Sequence, residues 1–68
     1  MNKTPERLKE LREERGLSKS GLAKLLGKEP KTICRWEDGE KDLGADNIIL
    51  LCQFFNCSAD YLLGLTNE

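Results

Sequence analysis

Lys31 and Arg35 stand four residues apart in the segment PKTICRWE (30–37). On a helix that spacing sends both side chains out from one ridge. The chemistry open to such a ridge is donation to anionic or carbonyl oxygens. A helix is narrow enough for the major groove of DNA, where arginine or lysine donates to guanine O6 and N7. Taken alone, the pair is more simply an ordinary solvated helix face, so the surrounding residues must decide.

Other chemistries are poorly provided for. The chain has no histidine, and its three cysteines, Cys34, Cys52 and Cys57, show no CxxC spacing. That pattern fits neither a disulfide framework nor a zinc site and reads as free, buried or half-buried thiols in a reducing compartment. No serine or cysteine has an evident activating partner, so no catalytic residue and no enzyme are expected. Nothing points to a metal, a cofactor or a small-molecule ligand.

Size and charge narrow the frame further. With 68 residues the chain is expected to form one domain, 1–68, with an economical core. The longest apolar run, 48–52, is far below the roughly 20 residues of a membrane span. Charged residues begin at Lys3, before any apolar stretch that a leader peptide would need, so a cytoplasmic protein is expected. The net charge of −1 hides an asymmetry. Residues 1–41 hold all 11 Lys and Arg against eight acids, whereas 42–68 hold only Asp42, Asp46, Asp60 and Glu68. Residues 19–35 carry five basic side chains against Glu29 alone. A basic face on an acidic body is compatible with this pattern, as is an ordinary solvated surface.

The elements that must position the ridge are legible in the punctuation. Thr4 is placed to cap a first helix, with Pro5 at its first position and Glu6 near its positive end. Leu8 and Leu11 recur at helical spacing until Gly16. Ser18 caps a second helix, 19–26, whose apolar stripe is Leu22, Ala23, Leu25 and Leu26. Gly27 stops it. After a turn of three residues, Pro30 opens a third helix to Glu37 with Ile33 and Trp36 facing inward. Two short helices joined by such a turn predict a helix-turn-helix over 19–37. Asp38-Gly39 starts a loop to Gly44, a fourth helix covers 45–55, and Ser58 caps a short fifth helix ending at Gly64. The predicted class is an all-α, five-helix domain.

Four segments, RLKELREERGLS (7–18), LAKLLG (22–27), TICRWEDG (32–39) and NCSADYLLGL (56–65), resemble the Cro/C1 repressor-type, Xre-like helix-turn-helix domains of phages and bacteria. They cover nearly the whole chain, with a core of about 5–65. Ala23 matches the small residue that lets two helices approach, Gly27 the turn glycine, and Ile33 and Trp36 the buried positions. The resemblance implies a compact lambda-repressor-like fold and a sequence-specific DNA-binding transcriptional regulator, most simply a repressor, with the third helix in the major groove. It places base reading on Pro30, Lys31 and Arg35, and phosphate contact on Lys19, with Ser20, Thr32 and Lys41 beside it. It also implies an internal ion pair between Arg12 and Glu37. Its partners would be double-stranded DNA and a second copy of the chain on that DNA, in a bacterial or phage-encoded, nucleoid-associated protein.

Some positions depart from the pattern. Lys19 stands where the family usually has glutamine, and a lysine holds phosphate only as a point charge. Lys28 replaces an apolar turn residue; its stem can cover the core while its amine stays in solvent. Glu29 is a weak cap that either accepts from cytosine N4 or pairs with Lys31, the second being the simpler reading. Pro30 offers only van der Waals contact.

The fourth helix carries more apolar surface than one buried face needs. Ile48, Leu51, Cys52 and Phe55 suffice for that face, leaving Leu50, Ile49 or Phe54 in surplus, with Leu43 and Leu65 extending the patch. Leu50, Phe54 and Leu65 are therefore candidates for a dimer face; a wider core including Phe54 and Ile49 is the equal alternative. A second function also stays open: a protein-interaction module or antitoxin-like partner that keeps the fold with weak DNA binding.

Overall fold

The computed structural model describes residues 3–67; Met1, Asn2 and Glu68, which enter the charge and leader-peptide readings, lie outside the described residues. Among the described residues five helices follow one another: α1 (Thr4–Glu14), α2 (Lys19–Leu26), α3 (Pro30–Glu37), α4 (Ala45–Phe55) and α5 (Ala59–Leu63). The all-α, five-helix class expected from the sequence is the one observed.

Local chemistry sets most of the boundaries. Ser18 Oγ accepts from the Gly21 N–H at 2.9 Å, and Ser58 Oγ accepts from the Tyr61 N–H at 3.0 Å. Each satisfies one of the donors left orphaned at a helix start. Gly27 closes α2 at φ 71°, a left-handed conformation that side chains with a Cβ rarely adopt. The Lys28 N–H then folds back to the Ala23 carbonyl at 2.8 Å, which fixes the sharp turn into α3.

The start of α1 differs from expectation. Thr4 is the first helical residue and not the cap; Lys3 holds the cap position with no side-chain hydrogen bond. The cause is tertiary. The Lys3 N–H donates to the Leu63 carbonyl at 3.1 Å, so the chain is already pinned to α5 one residue earlier and Thr4 is buried.

The core joins every helix. Leu8 of α1, Leu22 and Ala23 of α2, Ile33 and Trp36 of α3, Leu51 and Phe55 of α4 and Leu62 of α5 are all buried. Each large apolar side chain sealed this way contributes about 1.5–3 kcal/mol. Two expectations need correcting. Leu25 is 60% exposed and not part of the inward stripe of α2, because Ala23 turns that face the other way. Leu43 is buried within the core, so it does not extend a surface patch; the loop before α4 dips inward there. At the far end, Gly64 lies so close to α1 that a Cβ on it would meet the Lys3 Cβ at 2.7 Å.

Candidate nucleic-acid interface

α3 is anchored by its underside. Ile33 is fully buried and Trp36 nearly so, and these two positions set which way the helix is rotated. Pro30, Lys31 and Arg35 are consequently exposed, with Thr32 and Cys34 half-buried at the edges. No side-chain partner among the described residues engages Lys31 or Arg35. The two cations project from one ridge with their donors free.

Glu37, at the end of the same helix, is tied down. Arg12 Nε donates to Glu37 Oε2 at 2.7 Å and Arg12 Nη2 to Glu37 Oε1 at 3.1 Å, while Arg12 Nη1 donates to the Leu17 carbonyl at 2.7 Å. The pair has side-chain exposures of 9% and 3%. A forked pairing of this kind supplies direction as well as charge compensation. The hydrogen bond to Glu37 raises the Arg12 pKa above its ordinary value, against a smaller desolvation that pulls it down. One arginine thereby locks α1, the α1–α2 connection and the last turn of α3 into one frame.

The flanking cations lie on neighbouring segments. Lys19 is half-buried at the start of α2, Ser20 beside it is exposed, and Lys41 is exposed in the loop after α3. A recess of about 230 Å³ is lined by Lys28, Thr32, Arg35, Trp36, Lys41, Asp42, Leu43 and Asn47. It gathers Thr32, Arg35 and Lys41, three of the residues singled out by sequence, and adds Lys28 and Asn47, which were not assigned to the site. Asn47 anchors the rim by donating from Nδ2 to the Leu43 carbonyl at 2.8 Å. Lys28 was visible as a departure in the turn; Asn47 gave no signal, because only the inward dip at Leu43 carries it there. Glu29 and Lys31 are both exposed and form no ion pair. Glu29 precedes α3 at its cap position in an extended conformation (φ −89°, ψ 149°), off the helical ridge that carries Lys31.

The surplus apolar residues divide. Phe54 is half-buried and packs edge-on against Phe55, with ring centroids 4.9 Å apart. Leu50 is half-buried, whereas Ile49 and Leu65 are 54% and 74% exposed. No helix among the described residues is long and apolar enough to cross a membrane.

A family model described as Helix-turn-helix matches residues 8–62. The chain belongs to this helix-turn-helix family, of the Cro/C1 type. Relatives include the Repressor protein C2 of Salmonella phage P22, 31% identical over 58 residues, which are 85% of this chain and 27% of the relative. A second is the uncharacterized HTH-type transcriptional regulator YobD of Bacillus subtilis (strain 168), 30% identical over 63 residues, 93% of this chain and 56% of the relative. The chain thus spans less than two thirds of either curated relative. Among solved structures, a transcriptional regulator from Listeria innocua superposes with a TM-score of 0.87 at 29% identity, covering 100% of this chain and 64% of that one. The P22 c2 repressor in complex with synthetic operator 9T gives 0.80 at 30% identity, covering 88% and 91%. The fold is therefore that of the lambda-like repressor domains.

Proposed function

We propose that the chain is a sequence-specific DNA-binding transcriptional regulator, most simply a repressor, that works by seating α3 in the major groove of double-stranded DNA. The observation that carries this reading is the free ridge of Lys31 and Arg35 on a helix whose opposite side is fixed by Ile33, Trp36 and the Arg12–Glu37 pair. The P22 repressor, similar over most of its resolved length, has been captured on an operator. In this reading Lys31 and Arg35 donate to base edges and Pro30 makes apolar contact, for instance with a thymine methyl. Lys19, Ser20, Thr32 and Lys41 hold phosphates and set the register. A domain this small reads few base pairs, so two copies bind two half-sites. The exposed Leu65, with Leu50 and Phe54, supplies the face between them. The protein acts in the cytoplasm, where its operator is.

Selection of bound sites from a random DNA pool, repeated at two salt concentrations, tests the reading. A defined motif should emerge, with affinity falling steeply as salt rises. Arg35→Ala should cost about 1–3 kcal/mol and relax one operator position. A pool that yields no motif, or a variant with unchanged sequence preference, rules base reading out. Sedimentation of a monomer at high micromolar concentration, both alone and on the selected site, would refute the shared face.

The exposure of Leu25, Ile49 and Leu65 favours a second reading, an antitoxin-like module that docks on another protein. Its mark is weak DNA binding that survives loss of both Lys31 and Arg35, with partner binding abolished by Leu50→Glu.

A further inference from the structure

Two of the three cysteines meet at the end of α4, on residues the proposed interface does not use. Asn56 takes a left-handed conformation (φ 55°, ψ 49°), and the Cys57 N–H returns to the Cys52 carbonyl at 3.0 Å. A helix end closed in this way brings the side chains at the two ends of the closure together, and they are ordinarily an apolar pair. In this chain both are thiols. Both thiols are half-buried and not sealed off. They open onto a groove of about 330 Å³ bordered by Ile48, Ile49, Gln53 and Ala59. Cys34, on α3, has no part in it.

We propose that Cys52 and Cys57 form a modification site for low-molecular-weight disulfides such as oxidised glutathione, and close to an intramolecular Cys52–Cys57 disulfide. The thiolate of one cysteine attacks a sulfur of the small disulfide, forming a mixed disulfide and expelling one small thiolate. The thiolate of the other then attacks the protein sulfur of that mixed disulfide, and the second small thiolate leaves. The two protein thiols lose two protons and two electrons; the electrons reduce the small disulfide and the protons complete two small thiols. The groove admits the reagent, and the left-handed reversal at Asn56 holds the second thiol in place for the closing step. Burial pushes the Cys57 thiol up, its neighbour Cys52 adds to this, and Arg15, just past α1, opposes it more weakly. Exchange should accordingly quicken toward alkaline pH, as the Cys57 thiolate becomes available.

The test equilibrates the folded full chain in glutathione buffers of increasing oxidising strength, followed by acid quenching, weighing and digestion. The main product should lack two hydrogen masses and link the Cys52 and Cys57 peptides. Cys34→Ser should behave identically, whereas Cys52→Ser and Cys57→Ser should each stop at a single mixed disulfide on the remaining member of the pair. In urea, where the fold no longer holds the sulfurs together, half-closure should require a buffer about tenfold more oxidising. Three results overturn the proposal: unreacted or only mixed-disulfide protein in fully oxidised buffer, a cross-link through Cys34, or the same closure point folded and unfolded. Circular dichroism on the parent chain and Cys34→Ser establishes that both are folded, so the decision rests on those two.

Discussion

α1–α3 and α4–α5 share a core yet are held together differently. The first three helices are organised by one ionic fork, Arg12 on Glu37, that spans from the first helix to the end of the third. The last two rely on caps and stacking: Asn56 and Ser58 reverse the chain, and Arg15, at the C-terminal cap of α1, lies 5.3 Å from the Phe55 ring centroid while donating to the Phe55 carbonyl at 3.2 Å. Arg7 likewise sits 4.4 Å over the Tyr61 ring. The comparison shows where the basic charge of the first half goes. Arg7, Arg12 and Arg15 are all engaged by the body of the molecule, so α1 acts as a strut between the two regions. Lys9 of α1 stays exposed, but the cations that form and flank the α3 ridge are those at and beyond Lys19.

This contrast is most directly broken at the fork. Arg12→Ala strands Glu37 in a nearly sealed site and should cost about 3–5 kcal/mol in urea-induced unfolding. Replacing both partners together, Arg12→Met with Glu37→Leu, should return most of that loss, because no charge is left uncompensated. Since the Arg12 pKa is raised, the arginine's part in this stability is complete below the ordinary arginine range and fades only above it. If Arg12→Ala proves no worse than loss of a surface ion pair, about 0–1 kcal/mol, the two regions are not held differently after all. The smallest effect sharpens the other side of the comparison. Ser58→Ala should cost about 0.5–2 kcal/mol through loss of the α5 cap, and thermal unfolding of that variant beside Ser18→Ala shows whether the short helix depends on its cap more than α2 does.

Much of this architecture was legible because its signals are local. Ser18, Gly27 and Ser58 determine their helix ends by chemistry within a few residues, and the three-residue spacing of Ile33 and Trp36 fixes the rotation of α3 whatever packs beneath it. The exposure of Lys31 and Arg35 follows from that rotation. What escaped the sequence depends on partners far along the chain. Thr4 turns inward because Lys3 is pinned to Leu63, and Leu43 is drawn into the core by a loop whose path no periodicity records. The same dip carries Asn47 to the recess beside Arg35 and Lys41. Cys52 and Cys57 carry no spacing signal in the sequence; the reversal at Asn56 is what places both on one groove.

The hydrogen bond from Lys3 to Leu63, with Arg7 reaching Asn67 Oδ1 at 3.2 Å, makes neighbours of the two extremities of the described chain. A short peptide ligating one to the other would turn the protein into a ring with little distortion. Such a circle would have fewer conformations to explore once melted, and it would leave the outward side of α3 unencumbered. For the same reason a reporter or anchor fused at either extremity would emerge from one corner, where α1 meets α5.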